Sequence, residues 1–344
     1  MNQDVNPLVT FVLLTYNQSQ YVREAIEGAL SQTYSNLEIL ISDDCSTDNT
    51  WDVVQNAVAD YSGPHKIQLN RNDPNMGINE HVNKTARLAS GELMVMAAGD
   101  DVSLPERTSE IVKVWMDGAV GIFSNVAIVD MNGKNPKPLA APDFSSYCPR
   151  TWWDMARKGT HSSWGCGYAF DKKIFSLFGD IPTDCLGEDA YIPFRCTLAG
   201  GVQYIDTMLV NYRAHGENVS FWAQTKAADT YEKLLAVQLV TLNHWLDVYA
   251  DWEKDLNVAF KLGLIGKADM KKGVSAMVYY MQMKRMQILM LKSEWFALPG
   301  CFIVLVSRLI MMERGKYTAA RLTLKAMALV MKMRFELVGM KRNT

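Results

Sequence analysis

The sequence has few cysteines, and no two of them stand at the spacing of a metal-binding pair. The six cysteines are scattered over 344 residues, at positions 45, 148, 166, 185, 196 and 301. This pattern predicts neither a zinc site nor a disulfide framework, and it is typical of a reducing compartment. We therefore expect a cytoplasmic protein.

Long apolar runs are also missing. The longest one near the end, residues 296–312, contains Pro299 and Arg308 and is shorter than a typical spanning helix, so we predict no transmembrane helix. The polar start, residues 1–4 (MNQD), does not resemble a signal peptide. The length suits one large core with a smaller second domain.

Positive charge is scarce in most of the chain and concentrated at its end. Residues 1–260 hold 19 Lys and Arg against 33 Asp and Glu, whereas residues 261–344 hold 16 against 4. A basic end of this size predicts contact with an anionic surface, such as the inner leaflet of a membrane. The alternative is a helical pair for homodimerisation whose basic face is solvated.

Apolar runs and helical periodicities alternate at short spacing. We predict strands over residues 8–14, 37–42, 67–69, 93–97, 120–129, 202–205 and 208–213, with helices over 21–31, 51–61, 79–89, 105–117, 151–157 and 190–199. Such alternation predicts an α/β fold with a mostly parallel sheet between two layers of helices. From about residue 224 the pattern becomes helical, including residues 277–291 and 305–335. We place a domain boundary near residue 220.

Polar residues follow several of the predicted strands at the point where each strand ends. Asp100 and Asp101 follow a buried apolar run, and Pro105 then marks a helix start. Because open α/β sheets bind ligands at the carboxyl ends of their strands, these residues predict a site. Two adjacent carboxylates repel each other unless a cation lies between them, and a hard divalent cation shared with phosphates would suit them. A solvated turn is the alternative.

The order of several motifs is similar to that of family 2 glycosyltransferases of the GT-A fold, over roughly the first 220 residues. The motifs are FVLLTYN (11–17), SQTYSNLEILISDDCSTD (31–48), NxG (75–77), Asn83, GE (91–92), AGDD (98–101), LP (104–105), GED (187–189) and YRAH (212–215). The resemblance implies a GT-A domain over residues 1–220, and the helical pattern and basic charge of the remainder predict a second domain over 221–344. The resemblance also implies an inverting, Mg²⁺- or Mn²⁺-dependent transfer of a sugar from a nucleotide diphosphate.

The resemblance assigns roles to individual residues. It places Asp101 and His215 on the metal, and Asp189 as general base with Glu188 raising its pKa by like charge. Residues implied in nucleotide or donor binding are Thr15, Tyr16, Asn17, Asp44, Asn83, Asp100 and Arg213, the last through the diphosphate.

Structural alternatives stay open for several of these residues. Asp43 and Asp48 suit a turn or a helix cap, Glu188 and Asp189 suit the start of a helix, and His215 suits a structural role. Trp152, Trp153 and Trp164 suit either sugar stacking or packing. Two departures from the family pattern, Ala98 and Val82, leave the donor open, with Arg87 as a substitute phosphate contact.

The function expected from the resemblance is hexosyl or deoxyhexosyl transfer in bacterial surface polysaccharide synthesis, as for O-antigen or capsule. The donor would be a UDP- or dTDP-sugar and the acceptor a glycan or lipid-linked glycan, with no nucleic-acid partner. The enzyme would be cytoplasmic or peripheral on the inner membrane. Two alternatives are a sugar-nucleotide nucleotidyltransferase, although residues 18–23 lack the expected glycines, and a non-catalytic glycan-binding scaffold, which would require a broken set of acids.

Overall fold

The computed structural model describes residues 6–138, 151–158, 165–183, 187–215 and 230–292. Four sequence predictions lie outside these residues: the role of Trp164, the domain boundary near residue 220, the apolar run 296–312 and the helix over 305–335.

Nine strands and nine α-helices make up the described part of the chain. The strands are β1 (Val9–Thr15), β2 (Leu37–Asp43), β3 (Lys66–Arg71), β4 (Leu93–Ala98), β5 (Val102–Ser103), β6 (Gly121–Val129), β7 (Lys137–Pro138), β8 (Tyr168–Asp171) and β9 (Val202–Arg213). The helices are α1 (Val22–Leu30), α2 (Thr50–Val58), α3 (Gly77–Leu88), α4 (Arg107–Met116), α5 (Trp152–Lys158), α6 (Lys173–Phe178), α7 (Ile192–Ala199), α8 (Tyr231–Lys261) and α9 (Lys267–Lys292).

The strands form one mixed sheet in the order β3-β2-β1-β4-β8-β6-β9-β5, with β7 paired to β6. Strands β3, β2, β1 and β4 are parallel. Strand β8 runs antiparallel to both β4 and β6, and β9 is parallel to β6. The expected mostly parallel sheet is therefore confirmed, and β1, β2, β4, β6 and β9 all end at one edge.

The parallel half of the sheet holds the main core because its strands are apolar on both faces. Every residue of β2 is buried, and every residue of β1 except Leu14 is buried as well. The helix predicted over residues 21–31 is present as α1, and its Val22, Ala25, Ile26 and Ala29 pack in this core. Burial on both faces is what continuous Val, Ile and Leu runs predict.

Two parts of the sheet differ from the prediction. The strands predicted over 202–205 and 208–213 form one strand, β9, whose pairing with β6 is irregular around Asn125 and so tolerates the polar break. Strand β8 was not predicted, because its four residues follow a glycine-rich segment and carry no recognisable period. Residues Asn132 and Gly133 lie in the turn between β6 and β7, which pair antiparallel.

The chain divides into two compact units. One comprises Met1–His215 and Ala250–Met277, and the other comprises Gly216–Tyr249 and Val278–Thr344. In the second unit the described parts of α8 and α9 pack through Leu242, Ile288 and Leu291, and Tyr249 stacks on Tyr280 at 5.6 Å. Within the described residues, no helix combines the length and hydropathy needed to cross a bilayer.

Candidate active site

The loop after β1 is tied to the loop after β2. The Asn17 side-chain oxygen accepts the Thr47 backbone N–H at 2.8 Å, and the Asn17 N–H donates to the Ser46 hydroxyl at 2.9 Å. Asn17 has a φ of 53°, a conformation that Asn tolerates well. These bonds leave the ring of Tyr16 46% exposed at the edge of the sheet, where it is available to a ligand.

The loop after β4 approaches β1 closely. The Gly99 N–H donates to Leu14 at 2.9 Å. A β-carbon at Gly99 would lie 2.5 Å from the side-chain oxygen of Gln18 and 2.8 Å from the Thr15 hydroxyl. Only glycine fits there, so this residue lets the segment that carries Asp100 and Asp101 reach the β1 loop.

Asp43 and Asp44 are both buried and hold different loops. Asp43 accepts the Ser46 backbone N–H at 2.9 Å, as expected for a residue that closes a turn. Asp44 accepts hydrogen bonds from Asn72 at 2.8 Å and from the backbone N–H groups of Met76 and Gly77 at 2.9 Å each. Asp44 thus caps the start of α3, and one accepting position of its carboxylate remains for a further donor.

Asp100 forms a pair with His215. The His215 Nε2 lies 3.0 Å from the Asp100 Oδ2, and both side chains are largely buried. The imidazole stacks on the ring of Tyr21 with 4.9 Å between the ring centres. A carboxylate and an imidazole nitrogen at this separation can share a proton or a cation.

The guanidinium of Arg213 is buried and bonded to the protein. It donates to Glu24 at 2.8 Å, to the Met131 carbonyl at 2.7 Å and to the Asp100 carbonyl at 3.0 Å, and it lies over the ring of Tyr21. These contacts give Arg213 a structural role at the end of β9. Its predicted contact with a diphosphate stays a prediction.

Asp101 lies next to Asp100 in sequence but faces the interior. Its Oδ1 accepts the backbone N–H of Arg213 at 2.8 Å, and the Cys166 thiol and the Arg107 guanidinium are its neighbours. Burial raises the pKa of Asp101 to about 8, and the negative charge of Asp100 adds to the effect. Asp101 therefore keeps its proton near neutral pH.

Glu188 and Asp189 begin a 3-10 turn, Glu188–Ala190. Burial raises the pKa of Glu188 to about 8, with the negative charge of Asp189 as the second cause. The hydroxyl of Tyr168 lies beside Glu188 and opposes this rise. The effect that the sequence led us to expect at Asp189 stays a prediction.

Residues 165–168 connect the two acidic pairs. A β-carbon at Gly165 would lie 3.4 Å from the Glu188 Oε1, so the backbone there contacts Glu188. The next residue, Cys166, contacts Asp101. Two consecutive residues, Gly165 and Cys166, therefore lie between the acids after β4 and the acids before α7. The fold thus brings the acids that the sequence predicted for metal binding and for proton transfer into one region.

Two helices hold the segment that carries Glu188 and Asp189. On one side, Asn83 of α3 exchanges hydrogen bonds of 2.8 and 2.9 Å with the backbone of Ile181. On the other side, the Trp252 indole of α8 donates to the Ala190 carbonyl at 3.1 Å, and Arg195 pairs with Asp255 at 2.9 Å. This segment is therefore fixed by residues far away in sequence.

Comparison with known proteins decides the family. Residues 10–178 match the model of glycosyl transferase family 2. The chain belongs to this family. As a family 2 glycosyltransferase it is an enzyme, and the predicted GT-A fold is confirmed.

The glycosyltransferase has relatives among characterised and uncharacterised sequences. It is 28% identical over 219 residues to an uncharacterised glycosyltransferase of Nostoc sp., covering 61% of this chain and just under two thirds, 66%, of that one. It is 38% identical over 104 residues to the putative colanic acid biosynthesis glycosyl transferase WcaA of Escherichia coli, covering 30% of this chain and 36% of WcaA.

A solved structure shares the fold of the glycosyltransferase. The mannosyltransferase PcManGT of Pyrobaculum calidifontis, in complex with GDP-Man and Mn²⁺, superimposes with a TM-score of 0.54, over 98% of this chain and 85% of that one. The two sequences are 20% identical, so the likeness concerns the fold.

The residues of the glycosyltransferase were tested for their fit to a divalent cation. Within the described ranges, no group of three or more His, Cys, Asp or Glu side chains is arranged to hold a metal ion. Asp100 and His215 fit as two of the ligands, because their 3.0 Å separation matches that of neighbouring ligands on an octahedral ion with bonds of about 2.1 Å. Asp101 is not placed with them, since it is buried and its Oδ1 accepts the backbone N–H of Arg213. The structure pairs His215 with Asp100, and the metal role of Asp101 stays a prediction.

The remaining predicted residues divide into two groups. Thr15, Tyr16 and Asn17 lie in the loop at the carboxyl edge, whereas Asn83 is fully buried and bonded to Ile181 and Glu80. The nucleotide roles of these residues and of Asp44 stay predictions. Sequence reasoning missed Tyr168, Cys166 and Trp252, and no local pattern marks them, because their contacts join residues distant in the chain.

Proposed function

We propose that this glycosyltransferase transfers a sugar from a nucleotide diphosphate to a hydroxyl of a glycan, with inversion at the anomeric carbon. The observation that carries the proposal is that the acids after β4 and the acids before α7 lie against two consecutive residues, Asp101 at Cys166 and Glu188 at Gly165, while Asp100 pairs with His215. Ligands of α/β sheets bind at the carboxyl edge of the sheet.

The two pairs have different tasks in this proposal. Asp100 and His215 would hold a Mg²⁺ or Mn²⁺ ion together with the donor phosphates, and the bound ion would supply the positive charge that stabilises the departing diphosphate. Tyr16 and the β1 loop would contact the nucleoside. Asp189 takes the proton of the acceptor hydroxyl while the hydroxyl oxygen bonds to the anomeric carbon. The bond between the anomeric carbon and the diphosphate breaks in the same step.

Glu188 supports this step because its carboxyl remains protonated near neutral pH. A neutral neighbour spares Asp189 a second negative charge beside it. We assign Glu188 as a positioning residue and Asp189 as the base.

The proposed cellular role rests on the similarity to one bacterial relative. The similarity to WcaA suggests bacterial surface polysaccharide assembly, of O-antigen or capsule type, on a lipid-linked acceptor at the cytoplasmic face of the membrane. A UDP- or dTDP-sugar is the proposed donor, with Asp44 accepting the N–H of a pyrimidine through its remaining position.

Replacement of the base tests the proposed chemistry. Asp189→Asn should lower kcat by about 10²- to 10⁴-fold, the usual contribution of a general base, while the donor KM changes little. Sugar transfer to a glycan acceptor would be measured through the nucleoside diphosphate that is released. A panel of UDP-, dTDP- and GDP-sugars would serve as donors.

Two further variants make this test specific. Glu188→Gln should lower the rate less than Asp189→Asn does, and it should remove the dependence of the rate on a group with a pKa near 8. Asp206→Asn changes an exposed acid of β9 and should behave as wild type. Wild-type turnover in Asp189→Asn would refute the assignment of the base.

A further inference from the structure

The turn between α8 and α9, residues 262–266, exposes apolar side chains; we refer to it as the apolar turn. Leu262 is 50% exposed and Leu264 is 37% exposed, and Ile265 beside them is half-buried. Isolated exposed leucines are common on protein surfaces. Two within three residues at a helix end form a small apolar projection.

This projection is held in a defined conformation. The Leu264 N–H donates to the Ala259 carbonyl at 2.9 Å, and the Gly263 N–H donates to the Phe260 carbonyl at 3.1 Å. Gly263 has a φ of +73°. These are the bonds of a Schellman cap, in which glycine takes the left-handed conformation and the following residue normally packs back on the helix. The leucines are therefore exposed by an ordered cap.

Lysines surround the apolar turn on both sides. Lys261 precedes it, and Lys267 and Lys271 follow one turn apart on α9, all of them exposed. Lys272 adds a fourth, with its ammonium 4.0 Å from the ring of Trp153. Asp269 is the one acid among residues 261–272. The surface around the leucines is therefore strongly positive.

We propose that the apolar turn inserts into the surface of an anionic lipid bilayer, with Lys261, Lys267 and Lys271 on the headgroups. Apolar side chains flanked by lysines match an interface whose outer layer is negative and whose inner layer is apolar. The charge decides between a bilayer and a second copy of this chain, because two copies meeting at this turn would bring like charges together. The inference goes beyond sugar transfer and does not depend on it.

Flotation of the full chain with vesicles tests the proposal. The wild type should float with vesicles of phosphatidylcholine and phosphatidylglycerol at low salt, and binding should fall with added salt and with pure phosphatidylcholine. Leu262→Ser with Leu264→Ser should lower the bound-to-free ratio at least tenfold. Lys267→Gln with Lys271→Gln should lower it about 25-fold, since each lysine near such a surface contributes roughly a factor of five.

Matched variants separate insertion from other causes. Met116→Ser removes an exposed apolar side chain at the end of α4, 49% exposed, and should bind as wild type. Circular dichroism would confirm that the leucine variant is folded. Equal flotation of the leucine variant and the wild type, or no flotation of the wild type, would overturn the proposal. So would a leucine variant that changes only the oligomeric state.

Discussion

Asp100 and Asp101 are adjacent carboxyl groups in opposite environments. Asp100 contacts His215 near the edge of the sheet, whereas Asp101 accepts the Arg213 N–H in the interior. Successive residues can differ in this way because the chain turns over residues 98–101, where the Asp101 N–H donates to the Ala98 carbonyl at 3.2 Å. The pKa of Asp101 is therefore raised by burial, while Asp100 remains available to a ligand.

The pH dependence of stability should report the protonation of Asp101. Its pKa is about 8 in the folded chain and about 3.9 in an unfolded chain. The folded state thus binds more protons between these values, so its stabilising contribution is complete below about pH 4 and is lost as the pH rises through 8. We expect the stability of the wild type relative to Asp101→Asn to fall by up to about 1.4 kcal/mol per pH unit in this window.

Urea unfolding of both proteins at pH 5 and pH 8 would measure this difference. Glu188 has a pKa shift in the same direction, but it is present in both proteins and cancels in the comparison. A constant stability difference between the two pH values would show that Asp101 is ionised in the folded chain.

The sequence shows which residue types lie at the carboxyl edge but not what each one contacts. The order of motifs correctly predicted that acids after β2 and β4 share one edge. It could not show that the Arg213 guanidinium pairs with Glu24, 189 positions away, or that Asp44 caps α3. Hydrogen bonds over such separations leave no local pattern, so the roles of these residues were open to structural alternatives.

At the level of elements, α8 packs against the segment that carries Glu188 and Asp189 and hydrogen-bonds to it. The Trp252 ring stacks on Phe194 with 4.3 Å between centres, and its N–H donates to Ala190, the residue after Asp189. Arg195 and Asp255 form a buried ion pair one helical turn further along each helix. Loss of one partner of such a pair leaves an unpaired buried charge, which is costly.

Trp252→Phe should separate positioning from packing. The phenyl ring retains the stacking but loses the hydrogen bond to Ala190, which contributes about 1 kcal/mol to stability. We expect kcat to fall roughly tenfold by analogy with other misplaced catalytic groups, with the donor KM unchanged and the alkaline limb of the pH–rate profile shifted. A change confined to thermal stability would leave Trp252 as a packing residue only.

The elements themselves were predicted unevenly. Strands β1, β2 and β4 were recognisable because burial on both faces requires continuous apolar runs. Strand β8 was missed, since four residues between a glycine-rich segment and a short helix show no period. The helical character after residue 224 was visible, but the contact of Trp252 with Ala190 depends on tertiary packing.

At the level of the whole molecule, a donor would bridge loops from several strands and thereby stabilise the fold. A ligand at 100 times its Kd contributes about 2.7 kcal/mol, which corresponds to a rise in Tm of roughly 5 °C or more for a domain of this size. We expect such a rise with one of UDP, dTDP or GDP in the presence of Mn²⁺, measured by thermal shift.

The same assay tests the cation ligands. Chelation with EDTA should reduce the rise, and Asp100→Asn should abolish its Mn²⁺-dependent part, whereas Asp101→Asn should retain it. No rise with any nucleotide, with or without Mn²⁺, would contradict donor binding at this edge.

Helix α8 has a consequence for enzyme regulation. Trp252, which holds the carbonyl next to Asp189, and Leu262, at the apolar turn, lie on one continuous stretch of chain about 15 Å long. A helix of this length transmits a restraint applied at one end to the other. Lipid attachment at the apolar turn would then restrain the helix that orients the proton acceptor, so we expect a membrane surface to change the rate of transfer.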